Sequence, residues 1–317
     1  MTPLKPWNSF EDQLAKLKAR GLHVDDDAAA LRYLARIGYY RLNGYLYPLR
    51  EIDAVVSTQK SKPIRLDSFI AGSRFEDVVK LYVFDKKLRL LALDALERIE
   101  MAVRVDVAHL LGQRDPCAHE KPDCLHGKFT KKKGGNADKT EHQLWLEKYR
   151  ESLKRAKREP FVAHHQQKYD GKLPVWVAIE LWDFGLLSKL FAGMRFEDQQ
   201  AIAAKYGAAD GKALANWLRG LNFMRNVAAH HSRMWNINVL EAAPLPTGWP
   251  AMPNTKPFFY LCLIQQLLRT ICPHSSWGHR LATLLEKEFP AMPNRAVTLE
   301  DLGVCGNWGA WDLWRHK

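Results

Sequence analysis

"FEDVVKLYVFDKKLRLLALDALERIEMAVRVDVAHLL", residues 75–111, is the longest helical pattern in the chain and decides its class. Leu81, Leu88, Leu91, Ala95, Ile99 and Val103 recur at steps of three and four, or their multiples, which places them on one face of an α-helix. Ser73 and Glu76 give this helix a capping-box start, and Gly112 and Pro116 are expected to stop it. Upstream, Ser9 and Asp12 predict a capped helix over "FEDQLAKLKARGL" ending at Gly21, and a second helix comes after the Asp25–Asp27 cluster. "IGYYRLNGYLYPLR" reads as a helix–turn packed with aromatics, in preference to a base-stacking platform. Residues 51–67 read as a connecting loop, and residues 112–141 as a loop region with a basic tip at "KKKGGNADK". Helical patterns resume in "HQLWLEKYRESLKRAKREP", "PVWVAIELWDFGLLSKLF", "FEDQQAIAAKYG", "GKALANWLRGLNFMRNVAAHHSRMW" and "PFFYLCLIQQLLRTI". Period-two alternation is almost absent. The expected class is all-α, with an N-terminal helical region at 1–71, a main helical domain at 72–290 and a C-terminal tail at 291–317 packed on it.

Composition narrows the partner. The 317 residues include 47 Lys and Arg against 35 Asp and Glu, a net charge of +12. Such a surplus calls for an anionic partner, nucleic acid or a membrane surface. No stretch approaches the roughly 20 apolar residues of a bilayer span, and "MTPLKPWNSF" lacks a signal-peptide core, so a cytoplasmic protein that meets nucleic acid is expected. Five scattered cysteines fit a reducing compartment better than a disulfide framework.

There is no P-loop, dinucleotide glycine fingerprint or HExxH. Cys117, His119, Cys124 and His126 are of zinc-ligand type, but C-x-H-x4-C-x-H is not a common finger spacing, and a loop that merely contains them is the favoured reading. Lys131, Lys132 and Lys133, with Lys148, Lys154, Arg155, Lys157 and Arg158 within three turns further on, form two basic segments suited to RNA phosphates or to simple solvation.

"RNVAAHHSRMWN", residues 225–236, carries the most chemistry. With Leu221 as the centre of the apolar stripe, Leu214, Trp217, Leu218, Met224 and Ala228 fall within about 60°, and Arg225 lies about 40° away, so its stem is expected to be partly buried. A buried guanidinium needs a carboxylate or a phosphate. Asn226 and His230 are neighbours four apart. Glu97, Glu100 and Arg104 make a polar stripe on the long helix. They are either solvated ion pairs or a carboxylate source facing Arg225.

This segment resembles the R-N-x3-H motif of HEPN ribonucleases, in the form used by the Abi family of abortive-infection phage-resistance proteins (type D/F, Abi_2). "KPWNSFEDQLAKLKARGL", "IGYYRLNGYLYPLR", "FEDVVKLYVFDKKLRLLALDALERIEMAVR", "LPVWVAIELWDFGLLSKLF" and "ICPHSSWGHRLATLL" agree in family order. The resemblance implies a helical bundle and cleavage of RNA without a metal or other cofactor, leaving a 2′,3′-cyclic phosphate and a 5′-hydroxyl. Arg225 and His230 would be the catalytic pair and Asn226 their companion; His231 fits the looser form of the motif. It further implies a homodimer, because only one full motif is present, and a bound small RNA that restrains the toxin. A non-catalytic RNA- or partner-binding module is the competing reading.

Overall fold

The computed structural model describes residues 4, 6–60, 63–132, 138–240 and 242–315. Near the N-terminus, Ser9 Oγ accepts the Asp12 amide at 3.1 Å and Asp12 reaches back to the Ser9 amide at 3.2 Å, so α1 (Phe10–Ala19) begins with the expected capping box. Gly21 at φ +91° ends it. The Asp26 side chain caps α2 (Asp27–Ile37), and α3 (Tyr39–Leu46) comes next. The segment expected to be a loop at 51–67 instead holds α4 (Ala54–Lys60) between β1 (Arg50–Ile52) and β2 (Arg65–Phe69), an antiparallel pair. Arg65 ties this pair down by donating to the carbonyls of Pro48 at 2.8 Å and Arg50 at 2.6 Å, a contact between distant residues that local periodicity does not reveal.

The long helix is α5 (Phe75–Arg114), about 60 Å at 1.5 Å per residue. Its stripe residues Leu81, Leu88, Ala95, Ile99 and Val103 are fully buried, and Leu91, expected among them, is only half-buried. Two details at its ends differ from expectation. Ser73 does not cap it: its hydroxyl is buried without a hydrogen-bond partner among the described residues, and Glu76 instead accepts the Asp25 amide at 3.0 Å. Gly112 lies inside the helix, which runs to Arg114 before Pro116. A Cβ there would meet the Trp176 ring, so close packing accounts for this glycine.

Around α5 the chain wraps α6 (Gly127–Thr130), α7 (Glu141–Arg155), α8 (Pro160–Lys168), α9 (Val175–Ala178), α10 (Phe184–Gly193), α11 (Phe196–Lys205), α12 (Gly211–Ala229), α13 (Pro257–Ile271), α14 (Trp277–Lys287) and α15 (Leu299–Leu302). The stretch "PVWVAIELWDFGLLSKLF" therefore holds two helices, because Asp183 turns the chain and caps α10 through the Leu186 amide. Helix α12 lies among α5, α10, α11 and α13. At Gly220 the ring of Tyr260 occupies the space a side chain would need. Trp308 and Trp314 close over Phe258 at centroid distances of 5.7 and 5.9 Å. With helices throughout and a single two-stranded sheet among the described residues, the molecule is an all-α bundle, as expected.

Candidate active site

Leu214, Trp217, Leu218, Leu221, Met224 and Ala228 are all buried, so the apolar stripe of α12 faces the core as expected and sets the azimuth of the polar residues beside it. Arg225 and Asn226 occupy the last turn, both half-buried, with Arg225 Nη1 donating to Asn226 Oδ1 at 3.4 Å. The helical pattern continues to Trp235 in sequence, yet the helix stops at Ala229. His230 is the C-cap, and His231 takes the left-handed conformation at φ +56°. Its amide donates to Ala228 at 3.1 Å and the Ser232 amide to Val227 at 2.9 Å, the two bonds of a Schellman end, usually built on glycine. A histidine in this region costs on the order of 1–3 kcal/mol, which the surrounding contacts must offset. Both imidazoles are exposed at the helix end, while Arg225 lies about one turn earlier on α12, half-buried.

Those surrounding contacts come from α3 and α5. Asp85, fully buried, accepts the amides of Met234 at 3.1 Å and Trp235 at 2.8 Å, the Tyr45 hydroxyl at 2.6 Å, and the Arg89 guanidinium. Burial, together with the Asp85 charge, pushes the Tyr45 phenol above its usual range and keeps it a donor. Arg89 also donates to the Ser232 carbonyl at 3.4 Å, Arg41 to the His231 carbonyl, and Arg233 to the Gly44 carbonyl. The chain leaving the histidines is thus clamped. Asp85, Arg89, Tyr45, Arg41 and Arg233 were not singled out from sequence. Asp85 and Arg89, four apart and both buried, carried a readable signal: charges in step with the apolar stripe of α5, four and eight residues after Leu81. The tyrosine-rich segment divides, with Tyr45 in the core and Tyr40 91% exposed.

Beside Arg225, Glu100 is buried and Glu97 is exposed. Arg104 donates to Glu100 Oε1 at 2.6 Å and to the Trp182 carbonyl, and lies 3.6 Å from Glu180. Burial pushes the Glu100 carboxyl above the usual carboxylate range, and the charges of Arg104 and then Arg225 pull it back. Glu100 is therefore the buried carboxylate of the stripe, near enough to feel the Arg225 charge, but Arg104 is its bonded partner. No carboxylate among the described residues forms an ion pair with Arg225.

The basic segments lie elsewhere in the chain's path. Lys148, Lys154, Arg155, Lys157 and Arg158 are all exposed, and α7 ends at Arg155, so the last two stand in the turn before α8 and not on the helix face expected. Lys131 and Lys132 are exposed, and Lys133 falls outside the described residues. The four zinc-type side chains do not converge. His119 is enclosed by aromatic rings, His126 accepts the Lys128 amide at 3.0 Å, and no group of three or more His, Cys, Asp or Glu among the described residues is placed to share an ion. No helix among the described residues is long and apolar enough to cross a membrane.

Fold and site together define an α-helical bundle that presents an Arg-Asn-His-His cluster at a clamped helix end. Residues 32–236 match the sequence model of the Abi-like proteins (Abi_2), and the chain belongs to that family. Neither a curated protein nor a solved structure gives a match. The matched region opens in α2 and closes just past the loop held by Asp85, so the whole cluster and its clamp lie within it. Membership supports a role in abortive-infection defence against phage.

Proposed function

We propose that the chain is an abortive-infection toxin that cleaves RNA without a metal, using the Arg225, Asn226, His230 and His231 cluster in the HEPN manner. The observation that supports this reading most is the unpaired state of Arg225 among the described residues. A half-buried guanidinium without an ion-pairing carboxylate, beside two exposed imidazoles, is prepared for a phosphate. One histidine takes the proton from the ribose 2′-hydroxyl, whose oxygen attacks phosphorus. The P–O5′ bond breaks, and the departing oxygen is protonated. The products are a 2′,3′-cyclic phosphate and a 5′-hydroxyl, and the guanidinium stabilises the charge that grows on the phosphoryl oxygens. Asn226 orients Arg225 through their shared hydrogen bond.

Purified protein is expected to cut single-stranded RNA in excess EDTA, and Arg225→Ala and His230→Ala should each slow cutting about a hundredfold with the fold retained. His231→Gly separates the two imidazoles. It relieves the left-handed backbone and should raise stability by about 1 kcal/mol, while any loss of rate reports a chemical role for that ring. Cutting by both Arg225→Ala and His230→Ala at the parental rate would remove this site from the reaction. Intact, cleavage-resistant RNA that co-purifies with the protein would make the chain a binding module.

The same reading makes the working unit a homodimer, restrained by a small RNA bound across its cationic surface. One motif per chain supplies one guanidinium; two copies facing each other across a two-fold axis supply two, with an acid and a base among four histidines. Mixing excess Arg225→Ala chains with the parent should depress activity faster than the parental fraction falls. Strictly proportional loss after proven subunit exchange would mean that each chain acts alone.

A further inference from the structure

A cavity of about 480 Å³ opens between α5 and α9, lined by none of Arg225, Asn226, His230 and His231. Its most prominent group is Trp176, 51% exposed. The indole is held by its benzo edge: a Cβ on Gly112 would lie 3.1 and 3.2 Å from Trp176 Cε3 and Cζ3, and the preceding Val175 amide is tied to the Pro116 carbonyl at 2.7 Å. Met101 and Val105 add apolar surface, 43% and 64% exposed. The rim is polar. His109 and Gln113 are joined by a 3.0 Å hydrogen bond, and Arg104 contributes a guanidinium whose Nε is buried without a hydrogen-bond partner among the described residues. Arg104 also grips Glu100, whose carboxyl feels the charge of Arg225. Through Arg104 the cavity rim is thus bonded to Glu100, a buried carboxylate of α5.

We propose that this cavity is a nucleobase pocket, in which Trp176 stacks on one base of the bound single-stranded RNA while Gln113 and His109 meet its polar edge. The inference rests on the proposed nuclease function and names a part of its substrate grip. A fixed, half-open indole is the usual stacking surface for an unpaired base, and the volume lies in the range of pockets that hold one small planar group. Donors and acceptors together at the rim, with the Arg104 guanidinium and the Glu180 carboxylate beside them, suit the polar edge of a base better than they suit an aliphatic ligand.

The test uses short 2′-O-methyl RNA carrying thiouridine and thioguanosine, which lacks the attacking hydroxyl and therefore reports binding without cutting. Irradiation of the complex should crosslink RNA to the peptide containing Trp176. Trp176→Ala should weaken binding about tenfold, and Trp176→Phe should restore most of it. Full-strength binding by Trp176→Ala, with crosslinks only elsewhere, would overturn the pocket and leave the proposed function standing. A parental chain that binds no RNA would overturn both. If Trp176→Ala instead turns a dimer into a monomer in sedimentation and no crosslink forms there, the cavity belongs to a contact with a second copy and the pocket is overturned.

Discussion

Asp85→Ala is expected to lose about 3–5 kcal/mol of folding stability, the range for removing one partner of a buried ion pair. The carboxylate has no water to fall back on. Its loss strands the Arg89 guanidinium, 5% exposed as a side chain, and orphans the amides of Met234 and Trp235 and the hydroxyl of Tyr45. Each orphaned donor carries its own desolvation cost of about 1–3 kcal/mol if nothing relaxes to meet it. Urea unfolding of the purified variant measures the loss. Adding Arg89→Met to Asp85→Ala should recover only the part due to the stranded charge, because the two amides stay unpaired. An Asp85→Ala midpoint equal to the parent's would show that this network does not hold the loop. The same variant should also lose the RNA cleavage proposed above, since the left-handed backbone of His231 is held by the clamped residues Ser232 to Trp235.

Acid should weaken the fold through His119. That ring is fully buried, with neither nitrogen hydrogen-bonded among the described residues, and it stands edge-on to Tyr149 at 5.3 Å and tilted toward Trp182 at 5.7 Å. Burial pushes its imidazole down from 6.5 to about 4. For a base held neutral in the fold, the unfolded chain takes up the proton first. Stability is therefore complete above about pH 6.5 and falls as pH drops toward about 4, by roughly 3 kcal/mol in all. The charge of His142 pushes the same way as burial, and that of Asp115 pulls against it. Urea midpoints across this window should flatten in His119→Phe, which keeps the ring packing and removes the proton. An unchanged slope in that variant would assign the acid sensitivity to other groups.

The imidazole of His119 also shows why residue type alone misleads. Its place between Cys117 and Cys124 offered a ligand set, and the rings of Trp145, Tyr149 and Trp182, from two other parts of the chain, made it a core residue instead. The Arg225 segment worked differently. Its half-burial came from an angle on a helix, which is local geometry, and the structure agrees. The helix end could not be read in the same way, because stopping at Ala229 depends on Asp85 offering its oxygens to amides 149 and 150 residues away.

By itself, the sequence determined the helical class, the long α5, the face that α12 buries, the cap of α1 and the position of the Arg-Asn-His-His cluster. All of these rest on spacing within one or two turns, where side-chain periodicity and capping act. Only the tertiary structure decided that residues 50–52 and 65–69 form a small sheet, that Ser73 is buried and not a cap, and that Glu100 and not Glu97 is buried. It also decided that His231 adopts a left-handed backbone and that Trp176 stands open over Gly112. These outcomes are set by partners far along the chain, whose hydrogen bonds and packing outweigh local preferences of a few tenths to about 1 kcal/mol per residue.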